Sequence, residues 1–125
     1  MDDFYNAVRK EIAIVRGDSM AFNFQLQGLH GATPAEITFS CKEHYDDETP
    51  YFAQSLTGGG ISLIGYDEAS DTATYVCRVR PDQTENLDPA RYYYDLELRA
   101  GSDVITLMKG RLTVEYDVTK GVNNE

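Results

Sequence analysis

The residue types that most often carry out chemistry are few in this chain, and their spacing matches no common catalytic or metal-binding motif. Its two histidines, His30 and His44, do not stand at a zinc-ligand spacing from Cys41 or Cys77. No GxSxG motif occurs, and no serine or cysteine has a plausible histidine base near it. The sequence therefore predicts a protein that is not an enzyme, without catalytic residues or metal ligands.

Two acidic segments, "DDE" (46–48) and "DEASD" (67–71), could meet at one end of the fold and hold calcium. The alternation of acids with glycine that marks a calcium-binding loop is absent, so solvated turns are the favoured interpretation. The "TGGG" segment (57–60) lacks the lysine and hydroxyl residue of a phosphate-binding loop and predicts a flexible loop. We expect no cofactor.

The tripeptide "RGD" (16–18) is the signal that integrins recognise when it stands at the tip of an exposed loop in a secreted protein. Here it lies between two predicted strands. A turn built around Gly17 is the better explanation, because glycine adopts turn conformations without steric cost.

Charge limits the classes of partner. The chain has 125 residues, the size of one domain, and its 21 acidic and 11 basic residues give a net charge of −10. Such a surface repels both the phosphate backbone of nucleic acids and anionic membranes. We therefore expect neither a nucleic acid nor a membrane as a partner.

The start of the chain, "MDDFYNAVRKEIAIV", has no apolar stretch long enough for a signal peptide, and no segment approaches the roughly 20 apolar residues of a membrane span. A protein that is not exported usually keeps its thiols reduced. We expect Cys41 and Cys77 to be free and buried, with a disulfide as the less favoured alternative.

Apolar and polar residues alternate along most of the chain, which is typical of half-buried strands. The pattern predicts an all-β protein, a single immunoglobulin-like antiparallel β-sandwich of seven to eight strands over residues 1–125. Residues 1–10 are expected to form an N-terminal arm or short helix, and residues 119–125 a flexible tail. The last strand, from Val104 to about Val118, changes phase, and a β-bulge is expected at Gly110. After it, the residues that share the inward parity are Leu112, Val114, Tyr116 and Val118.

Three consecutive tyrosines stand in "ARYYYDLELRA" (90–100), and alternation divides them between two faces. Tyr92 and Tyr94 share the inward face with the two leucines that follow, whereas Tyr93 points outward. The segment "LDPARYYY", which begins at Leu87, resembles the E–F corner of immunoglobulin-like domains, where a tyrosine hydroxyl binds upstream backbone. The resemblance implies that Tyr92 is the corner tyrosine. Tyr94 stands where antibody domains have their second cysteine.

The outward face of this strand carries alternating charge. With a turn centred near Gly101, Asp95 and Glu97 should lie close to Lys109 and Arg111 on the last strand, where opposite charges stabilise a ladder. We expect an interaction surface on this face, comprising Tyr93, Asp95, Glu97, Lys109 and Arg111, with the "TGGG" loop as a second candidate.

Two parts of the sequence carry a resemblance to a known family. The opening "IAIVRGDSMAFNFQLQ" and the later "ENLDPARYYYDLELRAGSDVITLMKGRLTVEYDVT" are similar to small β-sandwich structural proteins of tailed phages and prophages. They resemble in particular the N-terminal domain of siphophage upper-baseplate proteins. The shared features are a short apolar strand before "RGD", alternating aromatics, a tyrosine-rich strand and a "KGxLxV" strand.

This resemblance implies a non-enzymatic virion structural or accessory protein of the tail, the baseplate or the head–tail region. It would be made in the bacterial cytoplasm, then become part of the virion, and assemble with other phage structural proteins or with itself. The alternative is an extracellular immunoglobulin-like binding module of the carbohydrate or adhesin type. That alternative accounts for the nine tyrosines, because sugars stack on exposed aromatic rings.

Overall fold

The computed structural model describes residues 8–117 and contains nine strands and one short helix. The strands are β1 (Val8–Arg9), β2 (Ile12–Val15), β3 (Met20–Gln27), β4 (Glu36–Lys42), β5 (Phe52–Ser55), β6 (Ile61–Asp67), β7 (Thr72–Val79), β8 (Ala90–Ala100) and β9 (Asp103–Glu115). The helix α1 (Pro81–Thr84) lies within the predicted loop between β7 and β8. No helix in the described part of the chain is long and apolar enough to cross a membrane.

The strands form two sheets in a sandwich-like arrangement. The large sheet has the order β1-β9-β8-β4-β5, with β2 pairing with β9 beside β1, and the small sheet has the order β3-β7-β6. Most pairs are antiparallel, but β1 and β2 run parallel to β9. The predicted all-β class is confirmed, with nine strands within residues 8–117 where seven to eight were expected, and the parallel pairing of β1 and β2 with β9 is an exception to the antiparallel arrangement.

The core lies between the two sheets, on the faces to which alternation assigns the apolar residues. Along β8 these are Tyr92, Tyr94, Leu96 and Leu98, each at most 5% exposed. Aromatic rings connect the two layers, since the ring of Phe22 on β3 lies edge-on to that of Phe39 on β4, at 5.4 Å between centroids. Both cysteines are free and fully buried, and burial raises the pKa of each thiol to about 12.

The β-bulge of the last hairpin lies at Leu107 and not at Gly110. Leu96 pairs with Met108 and Glu97 with Thr106, so Leu107 is the extra residue on β9. The bulge explains why Ile105 is buried while the later inward positions have even numbers. Gly110 is instead a site of close backbone approach, because a Cβ there would lie 2.2 Å from the carbonyl oxygen of Lys10.

Both ends of the domain differ from expectation. Val8 and Arg9 form a strand and not an arm or helix, while residues 1–7 lie outside the described part. Strand β9 ends at Glu115, and Tyr116, predicted to face inward, is 74% exposed. Val118 and the predicted tail over 119–125 fall outside the described residues.

The segments "RGD" (16–18) and "TGGG" (57–60) both form turns. Gly17 has a φ of +78°, as a glycine turn in "RGD" requires, and Arg16 pairs with Asp117 at 2.8 Å. The predicted flexible "TGGG" loop is held by side chains on both sides. The backbone N–H of Thr57 donates to Glu36, and that of Gly58 donates to the hydroxyl of Ser55.

Candidate interaction face

The outer surface of the large sheet brings together four of the five residues expected to form an interaction surface. In the β8–β9 ladder, Tyr93 lies opposite Arg111 and Asp95 lies opposite Lys109. Odd-numbered residues of both strands therefore point away from the core here. The two-residue turn at Gly101 and Ser102 alone would place Tyr93 opposite Gly110 and Asp95 opposite Met108. The extra residue Leu107 moves these pairings on by one position, to Arg111 and Lys109.

Glu97, the fifth predicted residue, is displaced from the two cations. Glu97 lies on the turn side of the bulge at Leu107, in a different register from Asp95, with Thr106 opposite it on β9 and Thr38 on β4. The prediction that Glu97 comes close to Lys109 and Arg111 is therefore wrong. Its register neighbours are two threonines, and it contributes to the outer face beyond the bulge.

Tyr45, from the loop between β4 and β5, lies across this face and was missed by sequence reasoning. Its ring centroid is 4.2 Å from that of Tyr93, and 56% of the residue is exposed. The guanidinium carbon of Arg111 lies 4.6 Å from the centroid of the Tyr93 ring, and the Lys109 ammonium lies 6.0 Å from that of Tyr45. Cations at these distances are attracted to the ring faces.

A third cation, Lys42, completes the arrangement from the other side. It is the register partner of Tyr93 on β4, so Tyr93 lies between Lys42 and Arg111 in one row across three strands. We refer to Lys42, Tyr45, Tyr93, Lys109 and Arg111 as the aromatic–cationic face. Its three cations are half-buried, and two exposed arginines border it, Arg9 as the partner of Lys109 and Arg91 two residues before Tyr93.

These cations have no close acidic partner within residues 8–117. The ion pairs of the described chain are formed by Arg16, His30, His44 and Arg80, and no carboxylate oxygen lies within 4.0 Å of the side-chain nitrogens of Lys42, Lys109 or Arg111. Acids outnumber bases by 21 to 11 in the whole chain. The absence of close pairing therefore reflects where the charges lie and not a shortage of carboxylates.

Asp95 is the acid nearest to the centre of this face. Burial raises the pKa of its carboxyl group, and Glu97 raises it further, whereas Lys42 and Lys109 act in the opposite direction. The narrow recess around it is lined by Tyr45, Tyr93 and the neighbouring strand residues. Asp95 is therefore a partly buried acid beside the aromatic pair, and its charge offsets part of the positive charge of Lys42 and Lys109.

The residues assigned to the corner before β8 are buried structural groups. The Tyr92 hydroxyl donates a 2.7 Å hydrogen bond to the carbonyl oxygen of Asp88, four residues upstream. Leu87 and Tyr94 are 8% and 2% exposed, and the Tyr94 hydroxyl donates to the carbonyl of Lys10 at 2.6 Å. These three residues position the start of β8 and present no side chain to the outer face.

His30, one of the two histidines of the chain, contacts an aspartate in another turn. His30 Nδ1 lies 3.2 Å from a carboxylate oxygen of Asp71, and the Tyr66 hydroxyl donates to the other oxygen at 2.8 Å. His30 and Asp71 both have positive φ angles, 54° and 51°, so this contact fastens two tight turns to each other. Among residues 8–117 no group of three or more His, Cys, Asp or Glu side chains could hold a metal ion.

A second exposed feature is the edge strand β6 of the small sheet. A bulge at Ile64 interrupts its pairing with β7, and Leu63, Ile64 and Tyr66 are 50%, 52% and 41% exposed. Sequence alternation could not show that β6 is an edge strand, because that depends on the order of the strands in the sheet.

Sequence reasoning missed Lys42 and Tyr45 for different reasons. The alternation in "EITFSCKEH" shows that the Lys42 side chain points outward, but nothing in the local sequence shows that β4 pairs with β8. Tyr45 belongs to the loop "HYDDETP", where no periodicity predicts the direction of a side chain.

A comparison with protein-family models and with the curated proteins finds no match to this chain.

Proposed function

We propose that this chain is a non-enzymatic structural or accessory protein of a phage or prophage virion, from the tail, the baseplate or the head–tail region. It acts by assembling with other proteins. After synthesis in the bacterial cytoplasm it becomes part of the particle. The immunoglobulin-like assignment belongs to the same proposal, and the Tyr92–Asp88 hydrogen bond supports it.

The observation that carries the proposal is the aromatic–cationic face. Tyrosine and arginine are enriched in protein–protein interfaces, where a tyrosine ring buries much area for little loss of side-chain freedom and a guanidinium group supplies several hydrogen-bond donors. Here the exposed Tyr45 and the half-buried Tyr93 and Arg111 stack on the outer surface of the large sheet. The phage context comes from the resemblance of the "RGDS" opening and of the tyrosine-rich and "KGxLxV" strands.

The apolar edge strand β6 gives further support to an assembly role. An edge strand has unpaired backbone groups on one side, and exposed apolar side chains on such an edge favour contact with another polypeptide. Leu63 and Ile64 are each about half exposed on β6. The bulge at Ile64 increases the local twist, which opposes uncontrolled edge-to-edge pairing.

Quantitative mass spectrometry on density-purified particles from an induced culture of the source organism tests this function. We expect the chain at a fixed, symmetry-compatible ratio to the capsid protein. A host protein of similar abundance in the lysate serves as the carry-over control. Absence of the chain from particles would overturn the virion-component proposal.

The alternative is an extracellular binding module of the carbohydrate or adhesin type, and one observation favours it. The Tyr45 ring is 56% exposed beside Tyr93, as an aromatic platform for a sugar ring would be. A glycan array probed with the chain and with Tyr45→Ala tests this function. Binding that the substitution abolishes would support it, and silence across the array would dispose of it.

A further inference from the structure

We propose that the aromatic–cationic face binds a carboxylate-rich, extended segment of another protein. The inference rests on the proposed assembly function and names the chemistry of the partner. The ligand groups are Lys42, Lys109 and Arg111, with Tyr45 as the exposed apolar contact between them.

The first argument is electrostatic. Three cations lie around one tyrosine pair, and none of them has a carboxylate oxygen within 4.0 Å among the described residues. Asp95, opposite Lys109, offsets one of these three charges, so the group keeps a net positive charge. The Debye length is about 10 Å at 0.1 M salt, so a docked segment interacts with this group more strongly than with acids farther away. A local positive surface can therefore attract carboxylates even though the whole chain has a charge of −10.

The second argument is spacing. Lys109 and Arg111 lie on the same face of β9, two residues apart, which corresponds to about 6.8 Å along a strand. Carboxylates at alternate positions of an extended segment repeat at the same distance. Lys42 lies two strands away from Arg111, at about 10 Å, within reach of a third carboxylate.

The third argument is shape. Sites for small molecules are concave, with volumes of roughly 300–1,000 Å³. The recess beside Tyr45 measures about 20 Å³. The wider depression beyond Arg111 measures about 460 Å³, within that range, but Glu43 and Asp88 on its border would repel a small anion. A nearly flat surface with charges at strand spacing favours a polypeptide over a small ligand.

Fluorescence anisotropy with a labelled (Glu-Ser)6 peptide and the full chain tests the inference, at 100 mM and 500 mM NaCl. We expect saturable binding at low salt that weakens at least tenfold at high salt. A (Gln-Ser)6 peptide is the uncharged probe and should not bind. Equal affinity for both peptides, or no saturable binding of (Glu-Ser)6 at 100 mM salt, overturns the proposal.

Substitutions locate the binding. The double variant Lys109→Gln/Arg111→Gln should weaken (Glu-Ser)6 binding about tenfold, because each exposed ion pair contributes a factor of a few. The matched control is Arg78→Gln, which removes an exposed cation from the opposite sheet and should leave the affinity unchanged. The single variant Lys109→Gln should lose less affinity for (Glu-Ser)6 than the double variant. A graded loss of this kind indicates the removal of individual charges, whereas misfolding would abolish binding altogether. Equal losses in the control and the double variant would overturn the assignment to this face.

Two further probes separate other sources of carboxylate. A galacturonate hexamer that binds while (Glu-Ser)6 is silent would assign the face to an acidic glycan and overturn a protein partner. Salt-sensitive self-association in analytical ultracentrifugation, lost in the double variant, would assign the carboxylates to a second copy and overturn a different protein. If the chain binds the peptide but is absent from particles, this inference stands and the virion proposal fails. If the chain is present in particles but does not bind the peptide, the virion proposal stands and this inference fails.

Discussion

The hydroxyl of Tyr94 donates a 2.6 Å hydrogen bond to the main-chain carbonyl of Lys10, across 84 positions of the chain. Tyr94 lies opposite Gly110 in the β8–β9 ladder, and the backbone N–H of Lys10 donates to the carbonyl of Lys109. The Tyr94 side chain therefore passes over Gly110, which has no side chain of its own. Its hydrogen bond fixes the position of Lys10 between β1 and β2. Two short parallel strands are fastened in this way to the edge of the large sheet.

The substitution Tyr94→Phe should lower the free energy of unfolding by about 1 kcal/mol, because it leaves the Lys10 carbonyl without this donor in a partly buried position. Urea denaturation followed by circular dichroism measures the change. Tyr93→Phe is the matched control, since the Tyr93 hydroxyl makes no hydrogen bond within the described residues. Equal midpoints for Tyr94→Phe and the native chain would show that the contact contributes nothing.

The substitution Gly110→Ala should destabilise by about 1–3 kcal/mol, the usual cost of forcing extra volume into a packed site. Its Cβ would lie 2.2 Å from the Lys10 oxygen and 3.0 Å from the carbonyl carbon, and a backbone group cannot rotate away as a side chain can. Gly65→Ala on β6 is the matched control, because no heavy atom lies within 4 Å of its added Cβ. A loss at Gly65 as large as that at Gly110 would contradict the steric explanation.

Alternation along the chain was sufficient to predict the all-β class and the inward face of β8, because burial on one side of a sheet imposes a period of two. It also showed that β9 changes phase, but not where. Glycine is the usual choice for a bulge, yet the extra residue is Leu107, and Gly110 serves the Lys10 contact. Local sequence could not distinguish these roles, because the second depends on Lys10, which lies between β1 and β2 at the other end of the chain.

The aromatic–cationic face was likewise only partly predictable, because residues from distant parts of the chain contribute to it. Tyr93, Asp95, Lys109 and Arg111 could be grouped in advance because one short hairpin sets their register. Tyr45 reaches the face from a loop whose direction depends on tertiary contacts, and the predicted position of Glu97 fails within the hairpin itself, because the register changes between Asp95 and Glu97. The prediction was therefore correct for four residues of one hairpin, wrong where the bulge changes its register, and incomplete where separate segments meet.

The substitution Tyr92→Phe should destabilise by about 1–2 kcal/mol, because its hydroxyl is the donor that closes the corner onto the Asp88 carbonyl at 2.7 Å. The ring itself should stay in place, since it is 5% exposed and lies edge-on to Tyr51 at 5.3 Å. Guanidinium denaturation with Tyr93→Phe as the control measures the loss. An unchanged midpoint would refute the role of this hydroxyl.

The contact between Tyr66 and Asp71 should make stability depend on pH in the acidic range. The Tyr66 hydroxyl is the main group that holds the pKa of Asp71 below its ordinary 3.8, and the backbone N–H and side chain of His30 act in the same direction. A carboxyl group with a lowered folded-state pKa stabilises the fold above its unfolded value. That stabilisation is lost as the pH falls through the folded-state pKa.

Removing the hydroxyl with Tyr66→Phe should let the pKa of Asp71 rise towards 3.8, which a carbon-13 NMR titration of its carboxyl group measures directly. The stability difference between the native chain and this variant should be largest near pH 6 and shrink below pH 3, since protonated Asp71 no longer offers a charged acceptor. Tyr93→Phe should show no such pH dependence. A difference of equal size at pH 6 and pH 2.5, with an unmoved Asp71 titration, would mean that the hydroxyl acts through packing and not through the charge of Asp71.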